Sequence, residues 1–450
     1  MKGLKLSIEE KMKKIIKYSL LAAILLPVVS HAATYEGLAN DDAGFSINEF
    51  GPNKYQKVLG IIKNAEVAFK KGELQTSEKL LLQGLVIVKG DINAEVRLVS
   101  ILGGVYAKQQ QPEKLLSITQ DIVQRYPEDN LALSALAGAQ IANKQHSKAE
   151  AILQKIITQE PQDINHRLLL VNLLLKSTGR EKDVENLLNE VLKIQANNPK
   201  ALLIKTKLQI QQKQFKQAAE TIKTIEGFYP KEVIGLRLKG DLILAQKKSA
   251  QALGFYQQAY KIEPNNELLF LMADLMKLQK EDSAALALLN DAVKKDNKNL
   301  AVHLKLGNIY QQLQEYQLAE KHFNAILEVQ ADNVIVLNNL AWNYLQQGRP
   351  EALKLAKRAY EISPKSGAIA DTYGVILLKQ GDKKEGLAIL KLASEGAPKI
   401  LGIQYHLAQA YSETGNQKQA IEILQKLEKH ESYFPEKKEA SELLKKLQAN

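Results

Sequence analysis

Apolar residues along this chain fall into paired helical stripes. In the stretch that opens at Leu300, Leu306, Ile309 and Tyr310 share one face, and Gln311 to Glu315 is a polar turn. Ala319, Phe323 and Ile326 then form a second apolar face. Spacings of three and four residues are those of an amphipathic helix, so each such stretch predicts two helices joined by a turn. No stretch alternates as a strand would. Beside the stripes a small residue recurs, in the column Ala65, Gly103, Ala137, Val171, Thr206, Gly240, Ala273, Gly307, Ala341, Gly374 and Ala408. Its steps run from 33 to 38 residues and centre on 34. A period of that length predicts stacked helix–turn–helix units. Small residues belong where two helices cross at ~8 Å. A lone unit cannot bury both of its stripes, so the units must stack into a solenoid.

The frames open near 58, 96, 130, 164, 199, 233, 266, 300, 334, 367 and 401, which makes eleven units over residues 58–434. Pro127, Pro161, Pro230, Pro264, Pro364 and Pro398 follow second helices, where a residue that cannot continue a helix ends the unit. The frames 58–91, 164–198 and 199–232 are the weakest: Val171, Thr206 and Lys207 depart from the small-residue rule, and a bend or looser packing is expected there. Residues 435–450 carry Leu443, Leu444 and Leu447 among Lys and Glu, the pattern of a capping helix with a polar outer face. Residues 33–57 are dense in Gly, Asn, Asp and Pro and read as an irregular lead-in. Before them, Lys11, Lys13, Lys14 and Lys17 precede an apolar run from Tyr18 to Val29, followed by Ser30-His31-Ala32. That order predicts a secretory signal peptide over residues 1–32, with cleavage near Ala32 and a periplasmic or secreted product. The apolar run of 12 residues is shorter than the ~20 a membrane-spanning helix needs. Met12 is an alternative start to Met1, because Met12-Lys13-Lys14 also opens such a segment.

Composition changes this picture little. The net charge is +11, of which the first 32 residues hold six Lys and two Glu, leaving +7 for the remainder. No Lys/Arg block is dense enough for a nucleic-acid footprint. The absence of Cys excludes disulfides, thiolate metal sites, a Cys nucleophile and a lipid-modified Cys anchor. None of the seven His belongs to a close ligand pair, and no glycine-rich phosphate loop follows a strand. His303 and His406 on first helices and His322 on a second read as surface or groove-lining residues. No catalytic residue, cofactor or metal ligand is assigned.

The residues that carry the period also carry a family resemblance. Leu102-Gly103, Tyr106, Ile122 and Pro127 resemble the tetratricopeptide repeat pattern. So do Leu306-Gly307, Tyr310, Ala319 and Phe323; Leu340-Ala341, Tyr344, Ala359 and Pro364; and Leu407-Ala408, Tyr411 and Ala420. The resemblance implies an all-α, right-handed superhelix (an α-solenoid) whose concave face, lined by first helices, binds a protein or peptide. On that face the expected contacts are Phe270, Asp274, Leu304, Asn308, Asn338, Trp342, Asp371, Tyr405 and Gln409, with Leu345 and Val375 beside them. Aromatic anchors supply contact area, and Asn and Asp pair with backbone groups. Trp342 has two readings, a partner contact or packing between repeats. Leu304, Ala368 and Thr372 stand where a chaperone-tail groove would be basic, so carboxylate capture is not expected. The column Leu238, Leu271, Lys305, Asn339, Thr372 and His406 lacks the Asn ladder of the sugar-transferase type.

The stretches Leu337 to Trp342, Asp371 to Gly374 and Tyr405 to Ala408 are similar to exported tetratricopeptide repeat proteins of bacterial exopolysaccharide and surface-sorting systems. That similarity implies a periplasmic scaffold serving envelope assembly or secretion. A regulatory peptide- or glycan-binding module is the alternative.

Overall fold

The computed structural model describes residues 52–449. The expected signal segment and nearly all of the lead-in lie outside the described residues. Among the described residues the chain is entirely helical, with 23 helices and no strand. The chain divides into two compact units. In the first, to Gln246, lie α1 (Pro52–Lys70), α2 (Leu74–Val88), α3 (Ile92–Gln109), α4 (Pro112–Arg125), α5 (Asn130–Ala142) and α6 (His146–Gln159). They are followed by α7 (Ile164–Leu174), α8 (Glu181–Ile194), α9 (Pro199–Gln211), α10 (Phe215–Phe228) and α11 (Ile234–Ala245). The second unit, from Lys247, opens with α12 (Ser249–Ile262), α13 (Asn266–Leu278), α14 (Asp282–Lys295), α15 (Leu300–Gln312), α16 (Tyr316–Leu327) and α17 (Val334–Gln346). It closes with α18 (Glu351–Ile362), α19 (Gly367–Lys379), α20 (Lys383–Gly396), α21 (Leu401–Glu413), α22 (Gln417–Glu428) and α23 (Lys437–Gln448). Odd-numbered helices up to α21 are the first helices of the repeats, and even-numbered ones are the second. Helix α1 begins at Pro52, inside the stretch read from sequence as lead-in, and its buried stripe begins at Val58 with Ile62 and Ala65.

Local chemistry explains where these helices start and stop. Seven first helices open on an Asp or Asn whose side chain accepts a backbone N–H of the first turn: Asp91, Asp129, Asp163, Asn198, Asn265, Asn299 and Asn333. Such a cap satisfies donors that have no partner inside the helix. Each first helix from α3 to α21 is followed by one left-handed residue, in the series Gln110, Lys144, Gly179, Lys213, Lys247, Lys280, Gln314, Gly348, Gly381 and Gly415. Beyond several of these an N–H reaches back five residues, as from Glu315 to Tyr310 O at 2.9 Å and from Asn416 to Tyr411 O at 2.8 Å. This is the Schellman arrangement, which closes a helix and reverses the chain within three or four residues.

Within each unit, a first helix packs on its second helix and on the helices that follow. The small-residue column lies at these crossings: Ala65, Ala137, Ala273, Ala341 and Ala408 are fully buried. At Gly307 a Cβ would stand 2.6 Å from Phe323 Cε1, so the aromatic ring of α16 fills the space glycine leaves. Val171 and Thr206, the departures from the rule, are also fully buried, and the Thr206 hydroxyl donates to Leu202 O at 2.8 Å. At the chain's end, Ala440, Leu444 and Leu447 of α23 close over Ala420, Leu424 and Leu427 of α22, with Phe434 between them.

Candidate functional site: the first-helix face

All nine residues expected on the binding face lie on first helices of the second unit and are half-buried. Three of them are tied to the neighbouring first helix. Asp274 Oδ1 on α13 accepts from Lys305 Nζ on α15 at 2.6 Å, and that ammonium lies 5.6 Å from the Phe270 ring centroid. Asn308 Oδ1 on α15 accepts from Asn339 Nδ2 on α17 at 2.9 Å. Gln311 Nε2 adds a bond to Asn339 O at 2.8 Å. Asp371 on α19 holds His406 Nδ1 of α21 at 2.9 Å from each carboxylate oxygen. Adjacent helices packed at 8–10 Å bring polar side chains of moderate length into direct reach. The face is therefore laddered by polar rungs between successive first helices.

The partners in these rungs, Lys305, Asn339 and His406, escaped the reading of the sequence as binding-face residues. They share one column of the repeat, which the sequence analysis tested only for an asparagine ladder. The usable signal was complementarity: each lies 31 to 35 residues after an acid or amide that can pair with it.

The remaining members divide by chemistry. Leu304 packs against the core around Leu340 and Ala341. Gln409 Nε2 donates to Glu413 Oε1 within its own helix at 3.0 Å. Asn338 Oδ1 is shielded from solvent and has no hydrogen-bond partner. Trp342 packs beside Val375, Leu378 and Leu407. Its ring also lies 6.5 Å from that of His406, two first helices further along. Side chains of first helices two steps apart can meet only where the first-helix face curves inward, because each step separates axes by 8–10 Å. Both readings of Trp342 thus describe one residue, packed between repeats and facing the same polar cluster. Tyr405 stacks obliquely on His406 at 5.7 Å. Burial and the carboxylates of Glu439, Glu436, Glu413 and Glu442 push its phenol above the usual range.

At the C-terminal end of this face is a cleft of about 510 Å³, lined by Asp371, Ile400, His406, Tyr433 and Glu436 among others. A larger one, of about 990 Å³, lies in the first unit between the turns before α7 and α9 and touches none of the expected residues. Among the described residues no group of three or more His, Asp or Glu could hold a metal ion. No described helix is long and apolar enough to cross a membrane.

The histidines need one correction. His303 and His322, expected at the surface or in the groove, are 7% and 5% exposed, and His303 Nδ1 lies 3.0 Å from His322 Nδ1. His303 directly follows buried Val302, on the side of α15 that meets α16, and so points into the hairpin rather than along the groove.

Comparison with known proteins accords with this geometry. Tetratricopeptide repeat profiles match residues 299–365, over α15 to α18, and residues 403–430, over α21 and α22. No match was found among curated protein sequences. A tetratricopeptide repeat protein from Parabacteroides merdae is 15% identical, with a TM-score of 0.41, over 55% of this chain and 96% of that one. The APC/C hetero-tetramer Cut9-Hcn1 is 13% identical, with a TM-score of 0.40, over 90% of this chain and 99% of that one. Yeast Tom70 is 16% identical, with a TM-score of 0.37, over 88% and 96%. With helix pairs at a period of about 34, small residues at their crossings and two stretches that match the family outright, the chain is a tetratricopeptide repeat protein.

Proposed function

We propose that this chain is a non-enzymatic scaffold of the bacterial periplasm or cell envelope. Its first helices hold a protein or peptide, and the assembly it supports belongs to envelope construction or exopolysaccharide secretion. A tetratricopeptide array is a protein-interaction fold, and one observation here carries the binding reading. The first-helix face of the second unit is half-buried, laddered and aromatic, with Phe270, Trp342 and Tyr405 along it. Rings held in place by rungs lose little freedom on binding, which favours them as anchors. The basic and apolar segment from Lys11 to Ala32 supports export. The similarity of Leu337 to Trp342 and of Tyr405 to Ala408 to exported repeat proteins supports the envelope pathway.

The test is crosslinking in cells followed by mass spectrometry, with the wild type beside a Phe270→Ala/Trp342→Ala/Tyr405→Ala variant. The expected result is recovery of envelope or polysaccharide-secretion proteins by the wild type and their loss with the folded variant. Recovery of cytosolic proteins alone would overturn the export reading. Equal recovery by the two chains would overturn the face assigned to binding.

A further inference from the structure

We propose that the buried His303–His322 pair is an acid-operated latch that holds the α15–α16 hairpin shut and releases it on proton uptake. The geometry assigns every hydrogen in the pair. His303 Nε2 lies 3.1 Å from Asn297 O, which can only accept, so that nitrogen carries a hydrogen. In the neutral ring, His303 Nδ1 is then a bare acceptor. The hydrogen bridging the 3.0 Å contact must belong to His322 Nδ1. Both rings are neutral in the closed hairpin, and each uses its one hydrogen.

An added proton has no good place to go. On His303 Nδ1 it would set two N–H groups face to face. On His322 it would put a charge on a buried ring stacked at 5.6 Å on Tyr310, whose hydroxyl accepts from Asn290 Nδ2 at 3.0 Å. No neighbouring carboxylate offsets that charge. On α16, Lys321 adds repulsion, and Glu320 is engaged by Tyr344 of α17 and by Arg349. On α14, Asp291 pairs with Lys294; across α13 and α15, Asp274 pairs with Lys305. In the turn before α15, Asp296 accepts the N–H of Lys298. Burial, then His303, then Lys321 hold the His322 imidazole down to about 4 from its ordinary 6.5. The sign follows: the opened hairpin binds the proton more tightly, so closure is complete above pH 6.5 and is lost as the pH falls toward 4.

The latch bears on the binding face because His303 directly precedes Leu304, and Asn308, one turn on, carries the rung to Asn339. This regulatory role rests on the proposed groove, but the opening itself needs no partner.

Amide hydrogen exchange of the full chain, corrected for intrinsic rates, reads it directly. Between pH 7.5 and pH 4.5 the protection of residues 300–327 should fall about 50-fold, the ratio that a shift from 6.5 to about 4 implies. In a His303→Leu/His322→Phe chain, which keeps a ring against Tyr310, that fall should disappear. A wild type with flat protection, or a variant with the same fall, overturns the latch. Should the double variant not fold, imidazole proton resonances of the wild type decide: a buried His titrating below pH 5 as the hairpin opens supports it, and one titrating near 6.5 overturns it. A flat exchange profile with partner binding intact would sink the latch and leave the groove standing.

Discussion

Lys213 holds its backbone at φ +60°, and Lys144, Lys247 and Lys280 do the same at the equivalent turns, where Gly179, Gly348, Gly381 and Gly415 stand in other repeats. A side chain at such a φ meets its own carbonyl, at a cost of ~1–2 kcal/mol that glycine avoids. Glycine's larger loss of freedom on folding offsets part of this. Lys213→Gly should therefore stabilise the chain by about 0.5–1 kcal/mol, read as a higher unfolding temperature. A lower one would show that the lysine makes a contact that outweighs the strain. Gly307 is the opposite case. A Cβ there would press to 2.6 Å from Phe323, so Gly307→Ala should destabilise by about 1–3 kcal/mol as the ring shifts. Urea titration of this variant against Gly138→Ala, where nothing lies within 4 Å, separates crowding from helix propensity.

At the scale of the helix, the first helices are marked by their caps and the second mostly are not. Asn333 accepts from Val336 N at 3.2 Å, and Asn333→Ala should cost about 1 kcal/mol by leaving that donor bare. The loss should appear first as faster exchange in the opening turn of α17; an unchanged profile would mean that packing alone sets the helix start. The period placed these helices closely. From α5 onward the first helices open within one residue of the positions the small-residue column predicts. Where the reading stopped short was α1, whose stripe begins at Val58 but whose backbone is already helical from Pro52. A density of turn-forming residues marks where a helix tends to end, and a short stretch of it does not prevent a flanking turn from continuing into one.

At the scale of the molecule, each repeat presents an apolar side to the next, and the last repeat has none to meet. Helix α23 supplies the cover, through Ala440, Leu444 and Leu447, while Lys445 and Lys446 face solvent. Removal of residues 437–450 should expose Leu424 and Leu427, lower the unfolding temperature and increase binding of an apolar dye. A truncated chain as stable and as dye-free as the full one would show that α22 closes the array without help.

The sequence by itself determined the repeat, because helical stripes, a small residue at each crossing and a proline after many second helices are local or periodic signals. It also determined which face to examine, since the first helices of successive repeats must lie side by side. Tertiary structure alone decided what that face is made of. Asp274, Asn308 and Asp371 read as free contacts one repeat at a time, yet each meets a partner 31 to 35 residues later. His303 and His322 lie 19 residues apart with no motif between them, and only the closing of one hairpin brings their nitrogens to 3.0 Å. Trp342 meets His406 across two repeats because the first helices curve inward, and curvature is the sum of small rotations at every crossing, written in no single residue.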